Sequence, residues 1–316
     1  VAKKQKTKAD PDLVLNAWEQ LKSDRNPYEG TWQEVADLVR PEVFFNGERT
    51  PGTVSRLQIF DDTAPNAADE LASQLDGMLT NTSIRWFGFV PLDPSVEPDD
   101  ELDMWLYQVT SAVLRAFEDS ECNWMAASHE CYLELVTFGT GVVSFDDLMG
   151  APLVTFQSQS LANVWLDQNS KGEVNHVCRQ FKMTVAEILQ TFPMAANNGE
   201  IVKMMQEKSR QKLDLLHSVY ERYDYDKDSL EPTSKRFASC YVCQKPKCIL
   251  RESGYDSVPY LTPRWEKFPN EVYGRSPATR VLPTIKGVNV VSRTELEAVE
   301  LGVRPPLMVP ANGMEG

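Results

Sequence analysis

Tyr273-Gly-Arg-Ser-Pro-Ala-Thr-Arg-Val-Leu-Pro-Thr-Ile-Lys286, running on to Gly302, decides how the rest of the chain is read. Ser276 followed by Pro277 is a helix start: the hydroxyl caps free N–H groups of the first turn, and the fixed φ of proline suits the next position. Gly302 closes the segment. A helix from Ser276 to Gly302 would reach about 40 Å at 1.5 Å per residue, a column rather than an ordinary globular helix. Pro283 is expected to bend it or restart it at Thr284, because an internal proline removes one hydrogen bond and crowds the preceding turn. Ile285, Val288, Leu296 and Val299 fall roughly on one side and Lys286, Arg293, Glu297 and Glu300 largely off it. That pattern suits a helix with neighbours on its flanks and water elsewhere. Beyond it, Arg304-Pro305-Pro306-Leu-Met-Val-Pro310 reads as an extended exit, since paired prolines prevent further helix.

Upstream, the apolar spacing is helical first. Lys3 to Lys8 reads as a solvated basic arm. Leu13, Ala17 and Leu21 mark a first helix ended by Asn26-Pro27, and Trp32, Val35, Ala36 and Val39 a second stopped by Pro41, with a turn-rich loop from Phe44 to Thr53. Thr63 with Pro65 opens a third helix carrying Ala68, Leu71, Ala72, Leu75 and Leu79. Arg85 to Val90 reads as a short strand and Pro91 to Asp100 as an acidic loop. Leu102, Trp105, Leu106, Val109, Val113 and Phe117 then stripe a long helix, and Trp124, Cys131, Leu135 and Phe138 another that ends near Gly139. These stripes read as core.

From Gly139 the period changes to two. Val142 to Phe145, Leu153 to Phe156, Val164 to Asp167 and Val174 to Phe181 are short β-rich runs punctuated by Gly150 and Asn169-Ser-Lys-Gly172, the signature of a meandering antiparallel sheet. Thr184 with Glu187 makes a capping box for a brief helix, and another is expected over Glu200 to Gln211. Strands return at Leu213 to Tyr223, Phe237 to Cys243, Cys248 to Glu252 and Val258 to Trp265. The sum is an α+β fold. Its expected parts are residues 1–25 as arm and first helix, 26–272 as an α+β body, 273–303 as the long helix and 304–316 as the exit.

A chain of 316 residues has room for a sizeable core and roughly two domains. Its 42% hydrophobic and 25% charged content is that of an ordinary globular protein. No run approaches the ~20 apolar residues of a membrane span, and Val1-Ala-Lys-Lys-Gln-Lys-Thr-Lys8 lacks the apolar centre of a signal peptide, so synthesis in the cytosol and no membrane partner are expected. Six cysteines without a dense framework fit a reducing compartment. The net charge of −14 argues against a sequence-reading nucleic-acid binder, which needs a basic face. It does not argue against a conduit, because an acidic wall repels the duplex and leaves it free to slide.

Several constellations are candidates for chemistry. Cys240-Tyr-Val-Cys243 with Cys248 has a zinc-like gap and His217 as a conceivable fourth ligand, yet strand alternation and the Lys245-Pro-Lys247 turn explain the same positions without metal. Gly274-Arg-Ser276-Pro-Ala278 imitates a nucleophile elbow, but His129, His176 and His217 all precede Ser276, the reverse of the hydrolase order, and capping already accounts for the serine. Gly139-Thr-Gly141 is too short for a phosphate loop and reads as a helix-to-strand turn. The acidic clusters Asp61-Asp62, Asp99-Asp100-Glu101 and Asp146-Asp147 have the chemistry to ligate magnesium or act as paired acids and bases, but Asp62, Asp99 and Asp100 precede predicted helices and are expected to cap them; Asp146-Asp147 has no assigned role. No catalytic residue, metal or cofactor is therefore assigned.

Trp265-Glu-Lys-Phe-Pro-Asn-Glu-Val-Tyr-Gly-Arg-Ser-Pro-Ala278, Leu282-Pro-Thr-Ile-Lys286 and Arg304-Pro-Pro-Leu-Met-Val-Pro310 strongly resemble the head-to-tail connecting (portal) proteins of short-tailed bacteriophages. Leu71-Ala-Ser-Gln-Leu-Asp-Gly-Met-Leu-Thr80, Arg85-Trp-Phe87, Phe138-Gly-Thr-Gly141 and Arg179-Gln-Phe-Lys-Met-Thr-Val185 extend the resemblance over nearly the whole chain. It implies a dodecameric ring in the virion, at one capsid vertex, through which double-stranded DNA is packaged and ejected without sequence specificity. Capsid and scaffolding proteins, the terminase packaging motor and a tail adaptor are the implied partners.

In those terms the body before Tyr273 would be the wing, Ser276 to Gly302 the first stem helix, and Arg304, Pro305 and Pro306 the entry to the clip. Lys286, Arg293, Glu297 and Glu300 become candidates for the channel wall or for salt bridges between stems. A dozen helices about 10 Å apart form a circle about 38 Å across, leaving a bore near 28 Å, wide enough for a duplex. Chains of that family continue into the rest of the clip, a second stem helix and a crown. The resemblance therefore implies that these parts lie outside the 316 residues or that the chain is a shortened relative. The competing readings are another ring-forming head or tail adaptor and a metal-dependent hydrolase with converging carboxylates.

Overall fold

A computed structural model of the chain describes residues 10–45, 59–81, 83–93, 99–147, 154–226, 229 and 231–304. The basic arm at Lys3 to Lys8, most of the loop from Phe44 to Thr53, and Pro305 and Pro306 lie outside these residues. The architecture is α+β: a helical first part, two antiparallel sheets, and a last long helix.

Helix α1 spans Pro11–Val39, where the sequence suggested two helices broken at Asn26-Pro27. Asp10 caps it, its carboxylate accepting from the Asp12 N–H at 3.1 Å. Pro27 fails to break it because Pro27 and Ser23, whose carbonyl loses its partner, both lie on the exposed side, where water can accept that role. Leu21, Arg25, Trp32 and Val35 on the opposite side are buried and hold both halves in line. Helix α2 (Thr63–Leu79) begins at the expected Thr63. Its N-terminal N–H groups are served by Asp61, which accepts from Thr63 at 3.0 Å, rather than by Asp62, whose side chain makes no cap bond.

Two expectations in the next region fail for a shared reason. Arg85 to Val90 is extended but joins no sheet; it lies along helix α3 (Asp100–Glu118), with the Phe89 N–H donating to the Thr110 hydroxyl at 3.3 Å. The α3 stripe is correspondingly half-buried rather than core: Trp105 is 58% exposed, and Thr110 is the buried residue of the helix. The aromatic-rich run Trp86-Phe-Gly-Phe89 looks β-prone, but its rings stack on Phe117 and Trp124 instead of pairing backbone to backbone. Asp99 does cap α3, accepting from Leu102 N–H at 2.8 Å.

Helix α4 (Trp124–Phe138) is the central element, buried along most of its second half and closed by Gly139 at φ +83°. Strands β1 (Val143–Asp147) and β2 (Val154–Ser158) form a hairpin beside it. The five-stranded sheet then follows in strict chain order: β3 (Val164–Gln168), β4 (Val174–Thr184), β5 (Lys212–Glu221), β6 (Phe237–Cys243) and β7 (Cys248–Tyr255). The Thr184–Glu187 capping box opens α5 (Val185–Thr191), and α6 covers Gly199–Lys208. The strand read over Val258 to Trp265 shrinks to β8 (Tyr260–Leu261), which pairs with β1. Its remainder makes one isolated bridge, Arg264 to Thr140, because Pro259 and Pro263 flank β8 and withhold ladder N–H groups. Helix α7 spans Pro277–Val303 and runs through Pro283 without restarting at Thr284; Pro283, like Pro27, faces solvent.

Candidate functional site: the seat of the last helix

The segment before α7 is fastened to the body by backbone. Trp265 N–H donates to the Gly139 carbonyl at 2.9 Å, Gly274 N–H to the Thr140 hydroxyl at 2.9 Å, and Arg275 N–H to the Glu266 carbonyl at 2.8 Å. Gly139-Thr-Gly141 is thus a helix-to-strand turn with a second duty, since it forms the socket for Gly274. Arg264 braces the same segment, donating to the carbonyls of Val272 at 3.1 Å and Gly172 at 2.9 Å.

Tyr273 is the buried pivot. Its hydroxyl accepts from Leu166 N–H at 3.0 Å, and its ring lies edge-on to Trp32 with centroids 5.0 Å apart. Burial pushes the phenol well above its usual pKa, so it stays neutral. Beneath it Arg25, 2% exposed, donates to the carbonyls of Leu161 and Val164 at 2.8 Å each and pairs with Glu29 at 2.6 Å. These bonds tie α1 to the start of β3, the strand that holds Tyr273.

Ser276 caps the helix. Its hydroxyl accepts from Thr279 N–H at 2.9 Å and donates to the Thr279 hydroxyl at 2.8 Å, so the serine is committed to the helix end, and no histidine is among these partners. Pro277 is the first helical residue, and Ala278 and Leu282 bury the first two turns. One turn on, a polar belt takes over: Lys286 pairs with Glu34 of α1 at 2.7 Å, Asn289 accepts from Phe60 N–H at 2.7 Å, and the Ser292 hydroxyl donates to Asp61 at 3.3 Å. Between α7 and α2 lies an apolar cleft of about 320 Å³, lined by residues that include Leu71, Ala278 and Val288.

Past Ser292 and Arg293 the helix leaves the body. Leu296, Val299, Leu301 and Val303 are between 58% and 74% exposed. Arg293 pairs with Glu297 at 2.8 Å within the helix and its guanidinium lies 5.6 Å from the Phe60 ring centre; the Glu300 carbonyl accepts from Arg304 N–H at 2.9 Å. The four charged residues singled out from the sequence are therefore not one cluster. Lys286 turns toward α1, while Arg293, Glu297 and Glu300 belong to the projecting half. Sequence reading missed Glu34 and Asn289, which fix the helix to the body, and singled out Asp61 only as half of the acidic pair Asp61-Asp62; Asn289 left a trace, a polar residue between Val288 and Val290.

Of the cysteine constellation the fold brings Cys243 and Cys248 together, opposed in the β6–β7 ladder, and separates the rest. Cys240 and Cys243 are three residues apart on one strand and so point to opposite faces, Cys240 into the core beneath α1 and Cys243 into the core beneath α5. Both ring nitrogens of His217 are engaged, with the Tyr260 hydroxyl at 2.7 Å and the Ser239 hydroxyl at 2.9 Å. Among the described residues no group of three or more His, Cys, Asp or Glu side chains is placed to hold a metal ion. No helix among them is long and apolar enough to cross a membrane.

A long helix is thus seated at its start by Tyr273, Ser276 and Leu282, exposed over its second half, and carried on a helix-and-meander body. The chain belongs to the family of bacteriophage head-to-tail connecting proteins, which it matches over residues 12–316. It is 27% identical over 311 residues to the probable portal protein of Bordetella phage BPP-1, covering 95% of this chain and 54% of that one. To the portal protein of Salmonella phage epsilon15 it is 25% identical over 312 residues, covering 96% and 55%. The chain spans about half the length of these relatives.

Proposed function

We propose that this chain supplies a portal subunit's wing and first stem helix: residues 26–272 form the wing, 273–303 the stem helix, and Arg304 with Pro305 and Pro306 lead into the clip. Copies assemble into a ring of about a dozen at one capsid vertex, and double-stranded DNA passes through it during packaging and ejection. Capsid and scaffolding proteins, the terminase motor and a tail adaptor dock on it, and the chain performs no catalysis of its own. The observation that carries the reading is α7. Its first half is seated by Tyr273, Ser276 and Leu282, while its second half carries Leu296, Val299, Leu301 and Val303 into solvent. A helix apolar on several sides is stable only when neighbours cover it.

Arg293, Glu297 and Glu300, on the projecting half, are the channel-wall or inter-stem charges of this reading. Lys286 is spoken for by Glu34 and steadies the stem against its own wing. The test is the native mass of the full-length protein, with negative-stain imaging. An open ring of about a dozen copies supports the assignment, and a monomer under assembly conditions overturns it.

A further inference from the structure

The β6–β7 hairpin ends in two cysteines that neither the seat of α7 nor the proposed assembly uses. Cys243 and Cys248 are directly opposed in the antiparallel ladder, on either side of the turn Gln244-Lys-Pro-Lys247. Opposed residues in such a ladder have Cα atoms about 4.5–5.5 Å apart. A disulfide spans about 4.4–6.8 Å, so the backbone needs no rearrangement to accept one. Opposed residues also share a face of the sheet, and both side chains meet the same apolar core, where the Cys243 thiol donates to the Lys245 carbonyl at 3.4 Å.

The two sulfurs differ in a way that assigns roles. Cys243 is fully buried among Ile188, Ile201, Leu215 and Leu250, whereas Cys248 is partly exposed. Cys248 packs at the edge of the same core, which Ala195 and Ile201 on either side of the α6 cap Asn198 help to build. The Cys243 thiol, and secondarily the Asn198 side chain, hold Cys248 below the usual thiol pKa, while its neighbour Cys248 and burial push Cys243 far above it. The other buried cysteines have no such asymmetry: Cys131 and Cys178 are raised to about 12 by burial.

We propose that Cys243 and Cys248 are a redox modification site that closes reversibly to a disulfide by exchange with a low-molecular-weight disulfide such as glutathione disulfide. The Cys248 thiolate attacks one sulfur of glutathione disulfide, breaking its S–S bond and releasing one glutathione thiolate, which takes up a proton. Cys243 then attacks Cys248 in the mixed disulfide, the Cys248–glutathione S–S bond breaks, and the Cys243 proton passes to the departing second glutathione thiolate. Two protein thiols are oxidised and one glutathione disulfide is reduced to two thiols. The closed bridge staples the hairpin whose tip, through Lys247, pairs with Asp12 at the start of α1 at 2.8 Å.

The experiment equilibrates the full chain with glutathione redox buffers of rising oxidised fraction, quenches with an alkylating agent, and reads intact mass and peptide maps. The expected result is the loss of two of the six alkylatable thiols, with Cys243 cross-linked to Cys248 and restored by dithiothreitol. In Cys243→Ser the reaction stops with one glutathione held on Cys248. Retention of all six thiols, at a buffer that oxidises a peptide spanning residues 240–251, overturns the proposal. So does a glutathione adduct that persists on Cys248 of the unmutated chain. Both decisive readings use the native sequence, so folding of the variant does not limit the result.

Discussion

Gly139 and Gly274, far apart in the chain, meet backbone to backbone. A Cβ on Gly139 would lie 2.5 Å from the Gly274 carbonyl oxygen, and one on Gly274 would lie 2.3 Å from the Gly139 carbonyl oxygen. Gly139 also adopts φ +83°, which an L side chain resists. The end of α4 and the approach to α7 share one contact that only two glycines permit.

Gly139→Ala and Gly274→Ala are each expected to destabilise the protein by about 2–3 kcal/mol, Gly139→Ala through backbone strain and displaced main chain together and Gly274→Ala through displaced main chain alone. Urea unfolding of the two variants checks this. A loss below about 0.5 kcal/mol, the range of ordinary surface substitutions, would mean the joint yields without cost.

Ser276→Ala removes the hydroxyl that accepts from Thr279 N–H in a site only 3% exposed. The expected loss is about 1 kcal/mol, with Ser276→Asp retaining most of the cap unless its extra bulk is rejected. Because α7 is the helix at stake, hydrogen exchange at residues 279–282 should rise in the alanine variant more than exchange in β5.

Stability should fall as pH drops below neutrality. Burial, and secondarily Arg179 and Arg251, lower the pKa of His217 to about 3, and burial lowers that of His176 to about 4. Between those values and the unfolded value of about 6.5, the unfolded chain binds protons that the folded chain does not. Stability therefore rises with pH across this window, by up to about 1.4 kcal/mol per unit for each histidine. His217→Gln should remove one of the two contributions, so its urea midpoint should change less steeply than the parent's between pH 6 and pH 4. An equal slope in both proteins would show that His217 protonates without penalty.

Leu296→Asp and Val299→Asp test the projecting half of α7. Both positions are more than half exposed, so the thermal midpoint of the isolated chain should barely move. Ring yield on native mass analysis should collapse, because a carboxylate buried between subunits without a partner costs several kcal/mol. Normal ring yield would place the subunit contacts elsewhere.

The sequence announced α7 and its surroundings with unusual clarity because the signals there are local: a serine cap, a proline at the first turn, and a capping box and turn glycines upstream. The α+β order, the meander and the helix following Asp99 were legible for the same reason. Pro27 and Arg85 to Val90 misled because their outcome depends on what lies across the fold. A proline breaks a helix only if the freed carbonyl has nowhere to turn, and on α1 Ser23 faces water. An aromatic, β-prone run becomes a strand only if an edge is free to pair, and Trp86 instead stacks flat on Trp124 at 5.9 Å. The charged residues of α7 could be picked out by type but not sorted. Only the position of Glu34 on α1, more than 250 residues earlier, separates Lys286 from Glu300.

The strictly sequential order of β3 to β7 has a temporal consequence. Each strand pairs with its neighbour in the chain, and even the longest connection, residues 185–211 between β4 and β5, closes a far smaller loop than the docking of α7, so the sheet should form early in folding. The bond from Leu166 N–H to the Tyr273 hydroxyl joins points 107 residues apart, and pulse-labelled hydrogen exchange during refolding should find Leu166 protected after the middle of β5. The long helix would then be docked last. Its apolar far half would be offered to other copies only by molecules whose bodies are already complete, a safeguard against half-folded chains entering an assembly.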